Sequence, residues 1–226
     1  MKKTINIFLV LICFFTINNL KAQVEEVADS TLQDDEVVLV KPEPDGKFKY
    51  GIKLGVQFST LLGNENENNL TRFGINGGVY LRKKFKNEKW GYQVELNGSL
   101  RGSYFKGGPN DYSLIRLVYL DLPALLFVNV SKDQNNKILF GPQFSYLVTS
   151  AIYKGEASVA YNDEPNLNKL DILACVGYQV RLGHIAIQSL LKYGFININN
   201  GLLPEVLPKS QGKNMNNFSF ELNFIF

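Results

Sequence analysis

From Tyr50 onward, apolar and polar residues alternate with a period of two along most of the chain. That spacing sends successive side chains to opposite faces of a strand. The first predicted strand sets Tyr50, Ile52, Leu54, Val56 and Phe58 against Gly51, Lys53, Gly55, Gln57 and Ser59. A second sets Phe73, Ile75, Val79 and Leu81 against Gly74, Asn76, Gly78 and Arg82. In the third, Trp90, Tyr92, Val94, Leu96 and Leu100 oppose Gln93, Glu95, Asn97, Ser99 and Arg101. The fourth, over residues 112–130, has Leu120, Leu122, Ala124, Leu126 and Val128 on one face, and Asp121 and Asn129 on the other. In the fifth, Ile138, Phe140, Phe144, Tyr146 and Val148 alternate with Gly141, Gln143, Ser145 and Thr149. The sixth sets Ile172, Ala174, Val176, Tyr178 and Val180 against Asp171, Cys175, Gly177, Gln179 and Arg181. The seventh sets Ile185, Ile187, Leu191, Tyr193 and Phe195 against Ala186, Gln188, Lys192 and Gly194. The chain ends on an eighth, with Phe218, Phe220, Leu222, Phe224 and Phe226 against Ser219, Glu221 and Asn223.

The connections have their own rhythm. Short links occur at 86–89, 131–136 and 182–183, and longer polar ones at 63–71, 102–111, 154–168 and 199–216. Long and short alternate throughout. After residue 22 no apolar run reaches the length of a membrane helix; the longest, 117–128, contains Asp121 and Pro123. An even number of strands in up-and-down order, with the short turns at one end, predicts an all-β fold: an eight-stranded antiparallel transmembrane barrel with short periplasmic turns and longer extracellular loops.

A soluble barrel would show the same alternation with its apolar face turned inward. Three features favour apolar-out. Glycines crowd the polar face (Gly51, Gly55, Gly74, Gly78, Gly91, Gly141, Gly177, Gly194), which suits a narrow lumen and would only weaken a water-facing strand. The apolar positions carry Tyr50, Phe85, Trp90, Tyr92, Phe224 and Phe226 toward the short turns, and Phe58, Phe73, Phe195 and Phe218 toward the long loops. Two aromatic girdles match the two interfaces of a bilayer. The third feature is the start of the chain. Lys2 and Lys3 precede a nearly continuous apolar stretch, 5–16, and Leu20-Lys21-Ala22 offers a cleavage point before Gln23. Residues 1–22 therefore read as a cleaved secretory signal peptide, and the cell outer membrane as the destination. Cys13 follows Ile12, where a lipoprotein signal wants a small residue, so no lipid anchor is expected there.

Loss of Lys2, Lys3 and Lys21 leaves 21 basic against 21 acidic side chains, a balance that gives no reason to expect a nucleic-acid partner. The balance is uneven along the chain. Residues 23–47 carry eight acids and two bases, a net of −6 closed by Pro42, Pro44 and Gly46, and read as a flexible acidic periplasmic tail. Residues 48–226, the predicted barrel, carry a net of +6. Cys175 alone remains in the mature chain, so no internal disulfide is available.

With the apolar set outward, the inward set contains Lys53, Arg82, Arg101, Arg181 and Lys192 with Glu95, Asp121, Asp171 and Glu221. An eight-stranded barrel is just wide enough for side chains to fill. Buried charges need partners. These residues are therefore expected to form a salt-bridged plug, with Lys53, Glu95, Asp121 and Lys192 near mid-depth. A proton or ion path is the alternative, and charge balance and narrow bore argue against it. His184 follows the short turn at 182–183, away from the outer leaflet where a lipid-modifying nucleophile and base would have to lie, and no serine stands two residues beyond it. One histidine and one mature cysteine make no metal site, and no phosphate-binding glycine motif precedes a helix. No enzyme activity, metal or cofactor is expected. Phe105, Tyr112, Tyr153, Tyr161 and the cluster Leu202, Leu203 and Leu207 give the long loops apolar points that either meet a partner or pack the loops together.

The runs "YGIKLGVQFSTLLG" (50–63), "FGINGGVYLRKKF" (73–85), "GYQVELNGSLRG" (91–102), "VYLDLPALL" (118–126), "FGPQFSYLVTS" (140–150) and "LACVGYQV" (173–180), with the aromatic C-terminus, resemble the PorT-type outer membrane β-barrel family of Bacteroidetes-like bacteria. The resemblance covers nearly all of 48–226. Its most specific piece is Tyr-Leu-acid-x-Pro at Tyr119–Pro123, followed by Gly141-Pro142. It implies an eight-stranded outer-membrane barrel, most of whose relatives have no assigned activity, and whose namesake takes part in secretion. The position of Phe226 resembles the C-terminal aromatic signature read by the barrel-insertion machinery. Expected partners are outer-membrane lipids, that machinery and, as an alternative to a structural or surface-binding role, a periplasmic or secretion-complex protein.

Overall fold

A computed structural model describes residues 47–63, 69–86, 89–106, 112–131, 133–154, 159–162, 167–200 and 214–226. The signal segment 1–22 and all but Lys47 of the acidic stretch lie outside the described residues. Nine strands follow in order: β1 (Phe48–Leu62), β2 (Asn69–Lys84), β3 (Trp90–Lys106), β4 (Tyr112–Asn129), β5 (Asn136–Lys154), β6 (Val159–Asn162), β7 (Leu170–Leu182), β8 (Ile185–Gly194) and β9 (Asn216–Ile225).

All pairings are antiparallel. Eight strands run β4-β3-β2-β1-β9-β8-β7-β5, and the β4–β5 ladder joins the two ends of that order, so the sheet closes on itself as a barrel. The seam between chain ends pairs Lys53 with Ile225 and continues to Leu62 with Asn216. Phe226 extends it by donating its backbone N–H to the Ile52 carbonyl at 3.0 Å. β6 is not a wall strand. It pairs residues 159–162 with 151–154, a short ladder inside the long polar link read at 154–168. β2 and β3 also reach further toward the long loops than the alternation suggested: Asn69 to Thr71 pair with β3, and Gly102 to Lys106 pair with β4. The tightest turn joins β7 to β8 through Gly183-His184, and Gly183 (φ 62°) takes the positive φ that primed hairpin turns require.

The exposed residues include Tyr50, Ile52, Leu54, Phe73, Ile75, Val79, Leu122, Phe144, Val176, Phe195 and Phe224, while Lys53, Gln57, Arg101, Lys192 and Glu221 are buried. This is the inverse of a soluble barrel. An apolar band around the whole wall exceeds any patch a water-soluble monomer tolerates, and it matches a hydrocarbon solvent. Closure matters for the same reason, since an unpaired strand edge finds no hydrogen-bond partner in lipid. Paired rings reinforce the girdles: Phe58 with Phe73 (5.7 Å between centroids) and Tyr193 with Phe195 (5.4 Å) toward the loops, and Trp90 with Phe140 (6.3 Å) toward the short turns.

Two elements depart from simple alternation. β4 is apolar on both faces: Ile115, Leu117, Tyr119, Leu125 and Phe127 are buried in the lumen, while Leu120, Leu122 and Leu126 are exposed. On β5 the ladder pairs Val118 with Thr149 but Tyr119 with Leu147, leaving Val148 as a bulge. The extra residue inverts the sides beyond it. Thr149, assigned to the lumen from sequence, is thus exposed on the outer wall.

Candidate functional site

The lumen holds a layered plug. At its centre Lys53 of β1 donates to Glu95 of β3, and Lys192 of β8 donates to Glu221 of β9. Lys53 also lies 3.9 Å from Glu221, which links the two pairs into an alternating chain. All four side chains are at most 1% exposed. The β2 partner of Lys53 is Gly78, where an added Cβ would stand 2.0 Å from the Leu96 carbonyl oxygen and 2.5 Å from the Asn97 Oδ1. Gln93 and Asn97 donate to the two Glu95 oxygens at 2.5 and 2.8 Å, and Asn223 donates to Glu221 at 3.3 Å.

Toward the loops, Arg101 of β3 pairs with Asp121 of β4, which also accepts from the Ser99 hydroxyl at 2.7 Å. The Arg101 guanidinium lies 4.7 Å from the centroid of the Tyr119 ring. Asp171 accepts from Asn217 at 2.6 Å, and the same Asn217 amide reaches the Tyr119 hydroxyl at 3.3 Å. Toward the short turns, Arg82 donates to Gln93 and Gln179, each at 2.7 Å, and its guanidinium faces the Phe127 ring at 5.5 Å. Arg181 is half-buried beside its own hairpin and donates to the Gly183 carbonyl at 3.2 Å.

Apolar clusters flank this polar layer. Loopward, Leu61, Ile115, Leu117, Tyr119, Leu147 and Ile152 of the wall enclose Leu167, Ile198 and Met215 from the long links, with Phe105 packed against them. Those link residues are tied by backbone bonds, Asn168 to Ile198 and Ile198 to Met215, both at 2.9 Å. At the short-turn side Leu125, Phe127, Leu139, Cys175 and Leu190 form a second cluster. The ion pairs thus share the barrel interior with two apolar clusters. Phe105, read as either a partner contact or loop packing, packs against the loopward one. The side chains of Tyr112 and Tyr161, and Leu202, Leu203 and Leu207, lie outside the described residues.

Chemically, each carboxylate at the centre is neutralised by a cation at contact distance, a geometry that braces the wall. Exposed His184 sits within the β7–β8 turn rather than after it. Among the described residues, no three His, Cys, Asp or Glu side chains converge as a metal site would require.

A closed antiparallel barrel with a lipid-facing exterior and a filled interior defines an outer-membrane β-barrel protein. Residues 23–200 match the family described as outer membrane protein beta-barrel domain, and the chain belongs to that family. No curated protein matches it. Among solved structures it is similar to Ail, the attachment invasion locus protein of Yersinia pestis (13% identity, TM-score 0.43, covering 80% of this chain and 98% of that one). It is also similar to Neisserial surface protein A (7%, TM-score 0.47, 79% and 97%) and to the outer membrane enzyme PagL (9%, TM-score 0.33, 76% and 98%). At TM-scores under 0.5 these likenesses carry nothing about what the chain does.

The residues behind the PorT-type resemblance have structural work here. Tyr119 and Asp121 face the lumen, and Pro123 pairs with Gln143 beside Gly141-Pro142 on β5. The two halves of the motif thus meet across one ladder, which lacks pairs at 124–125 and 141–142. A proline without an N–H is placed where the ladder is interrupted anyway.

Proposed function

We propose that this chain is a non-enzymatic, non-conducting outer-membrane barrel, structural or surface-binding, which holds its long loops on a rigid wall at the cell surface. One observation carries the reading: buried ion pairs occupy the middle of the lumen, with apolar clusters packed beside them. An eight-stranded barrel is just wide enough for such side chains to fill, and loops on a fixed scaffold are where recognition resides. Reconstituted into planar bilayers, the purified barrel gives no steady conductance. A stable open current would overturn the reading.

A second reading, an accessory subunit of a secretion or transport complex, is favoured by the net charge of −6 that directly precedes β1. It predicts that deleting residues 23–47 removes a co-purifying periplasmic protein. Unchanged partners in a pull-down would dismiss it. In both readings residues 1–22 are removed during export and Phe226 is read by the insertion machinery. Phe226 is 55% exposed on the lipid face, where its ring is presented to any such receptor. Deleting it is expected to slow assembly in cells while leaving spontaneous refolding into detergent nearly unchanged. Equal effects in the two assays would show that the residue acts on the barrel alone.

A further inference from the structure

Lys83 of β2 is a cation of the outer wall rather than of the lumen. It stands between Phe48 of β1 and Tyr92 of β3, its partners across the two ladders. Its amine lies 4.6 Å from the centre of the Phe48 ring. The loop-side girdle residue on the same strand is Phe73, ten residues away, and a tilted strand crosses a bilayer in about 9–11. Lys83 therefore stands at the opposite boundary between hydrocarbon and headgroups, beside the girdle rings Phe85 and Tyr92, which are 5.9 Å apart. Beyond Phe85 and Trp90 the β2–β3 turn adds Lys86 and Lys89, both exposed. The acid of that turn, Glu88, lies outside the described residues. Among the described residues Lys83 has no carboxylate partner. Cations grouped at a membrane surface attract anionic lipid.

An independent feature begins on the bilayer side of Lys83. A groove of about 630 Å³ runs over the outer face of β1, β2 and β3. The ladders set its lining in rows, Tyr50, Leu81 and Val94 next to Lys83, then Ile52, Val79 and Leu96. The row after that is nearly bare: Leu54 pairs with Gly77, and Gly77 with Gly98. These two glycines fall on the outward face, unlike those that crowd the lumen. A Cβ added to Gly77 would stand 2.8 Å from the Leu54 Cδ2, whereas one added to Gly98 would have nothing within 4 Å. Crowding inside the chain therefore gives no reason for a glycine at 98, and the wall is open there. From Lys83 to Gly77 the strand covers roughly 20 Å, about half a bilayer when tilted by about 45°. A charged head above an apolar trough one leaflet deep has the shape and polarity of a single lipid molecule.

We infer that this face binds one anionic phospholipid of the short-turn leaflet, with its phosphate on Lys83 and an acyl chain laid along the groove to Gly98. The site lies on the outer wall and does not depend on whether the lumen conducts. The test is native mass spectrometry of the full barrel in nonionic detergent. The probes are phosphatidylglycerol, phosphatidylcholine with the same chains, and inorganic phosphate. The barrel retains phosphatidylglycerol about fivefold over phosphatidylcholine, the preference expected from one interfacial cation. That preference disappears in Lys83→Gln and survives in Lys83→Arg. Gly98→Leu places a side chain where nothing in the barrel obstructs it, so the unfolding temperature is not lowered while retention of both lipids falls severalfold. It serves should Lys83→Gln fail to fold. Equal retention of the two lipids by the unaltered barrel, an undiminished preference in folded Lys83→Gln, or undiminished retention in Gly98→Leu overturns the inference. So does inorganic phosphate held as well as the lipid.

Discussion

Replacing Glu221 with leucine lowers the unfolding free energy of the barrel by about 3–5 kcal/mol, the cost of leaving a buried charge without its counter-ion. Glu221 holds Lys192 through one oxygen and lies 3.9 Å from Lys53 through the other, and all three side chains are sealed from solvent. The single change strands Lys192. Adding Lys192→Met removes the stranded charge, so the double variant recovers most of the loss, because Lys53 keeps Glu95. Equilibrium urea titration of the barrel folded into phospholipid vesicles measures all three proteins. Additive losses would show that Glu221 and Lys192 do not act as a pair.

Phe127→Ala is expected to cost about 3–5 kcal/mol, through lost burial and the void it leaves in the short-turn cluster. The ring is fully enclosed and packs with Leu125, Leu139, Cys175 and Leu190. It also lies beneath Arg82 at 5.5 Å and Lys137 at 5.8 Å. Leu126→Ala, one residue away on the same strand, is the comparison. Leu126 faces lipid, which fills the space a shorter side chain vacates, so its loss is expected at about 1 kcal/mol or less. If the outward substitution proves the costlier, the two faces of β4 have been exchanged.

These residues mark where the sequence was legible. On β1, β3 and β9 one face is charged or amide and the other aromatic or aliphatic, so period two alone separates lumen from lipid. Lys53, Glu95, Lys192 and Glu221 could thus be placed inside from spacing. Their pairing could not, because it depends on the register of β1 with β2 and across the seam with β9. β4 carries apolar residues on both faces over much of its length, so only the parity of Asp121 and Asn129 puts Phe127 inside, and nothing in the spacing shows what it packs against. Thr149 was misplaced because a bulge adds one residue without altering local composition. Leu167, Ile198 and Met215 sit singly in polar links, and a lone apolar residue has no period to read.

The seam sets a timetable for the molecule. Its first strand can find its last only when residues 216–226 exist and have arrived, across a sequence separation close to the whole domain. Contacts so distant along the chain close slowly. Until they close, the edges of β1 and of the growing C-terminal side are free to pair with other chains. A polypeptide cut short anywhere before Asn216 is therefore an open sheet with two adhesive borders rather than a smaller barrel, and escort by chaperones or removal by proteases are its only safe fates.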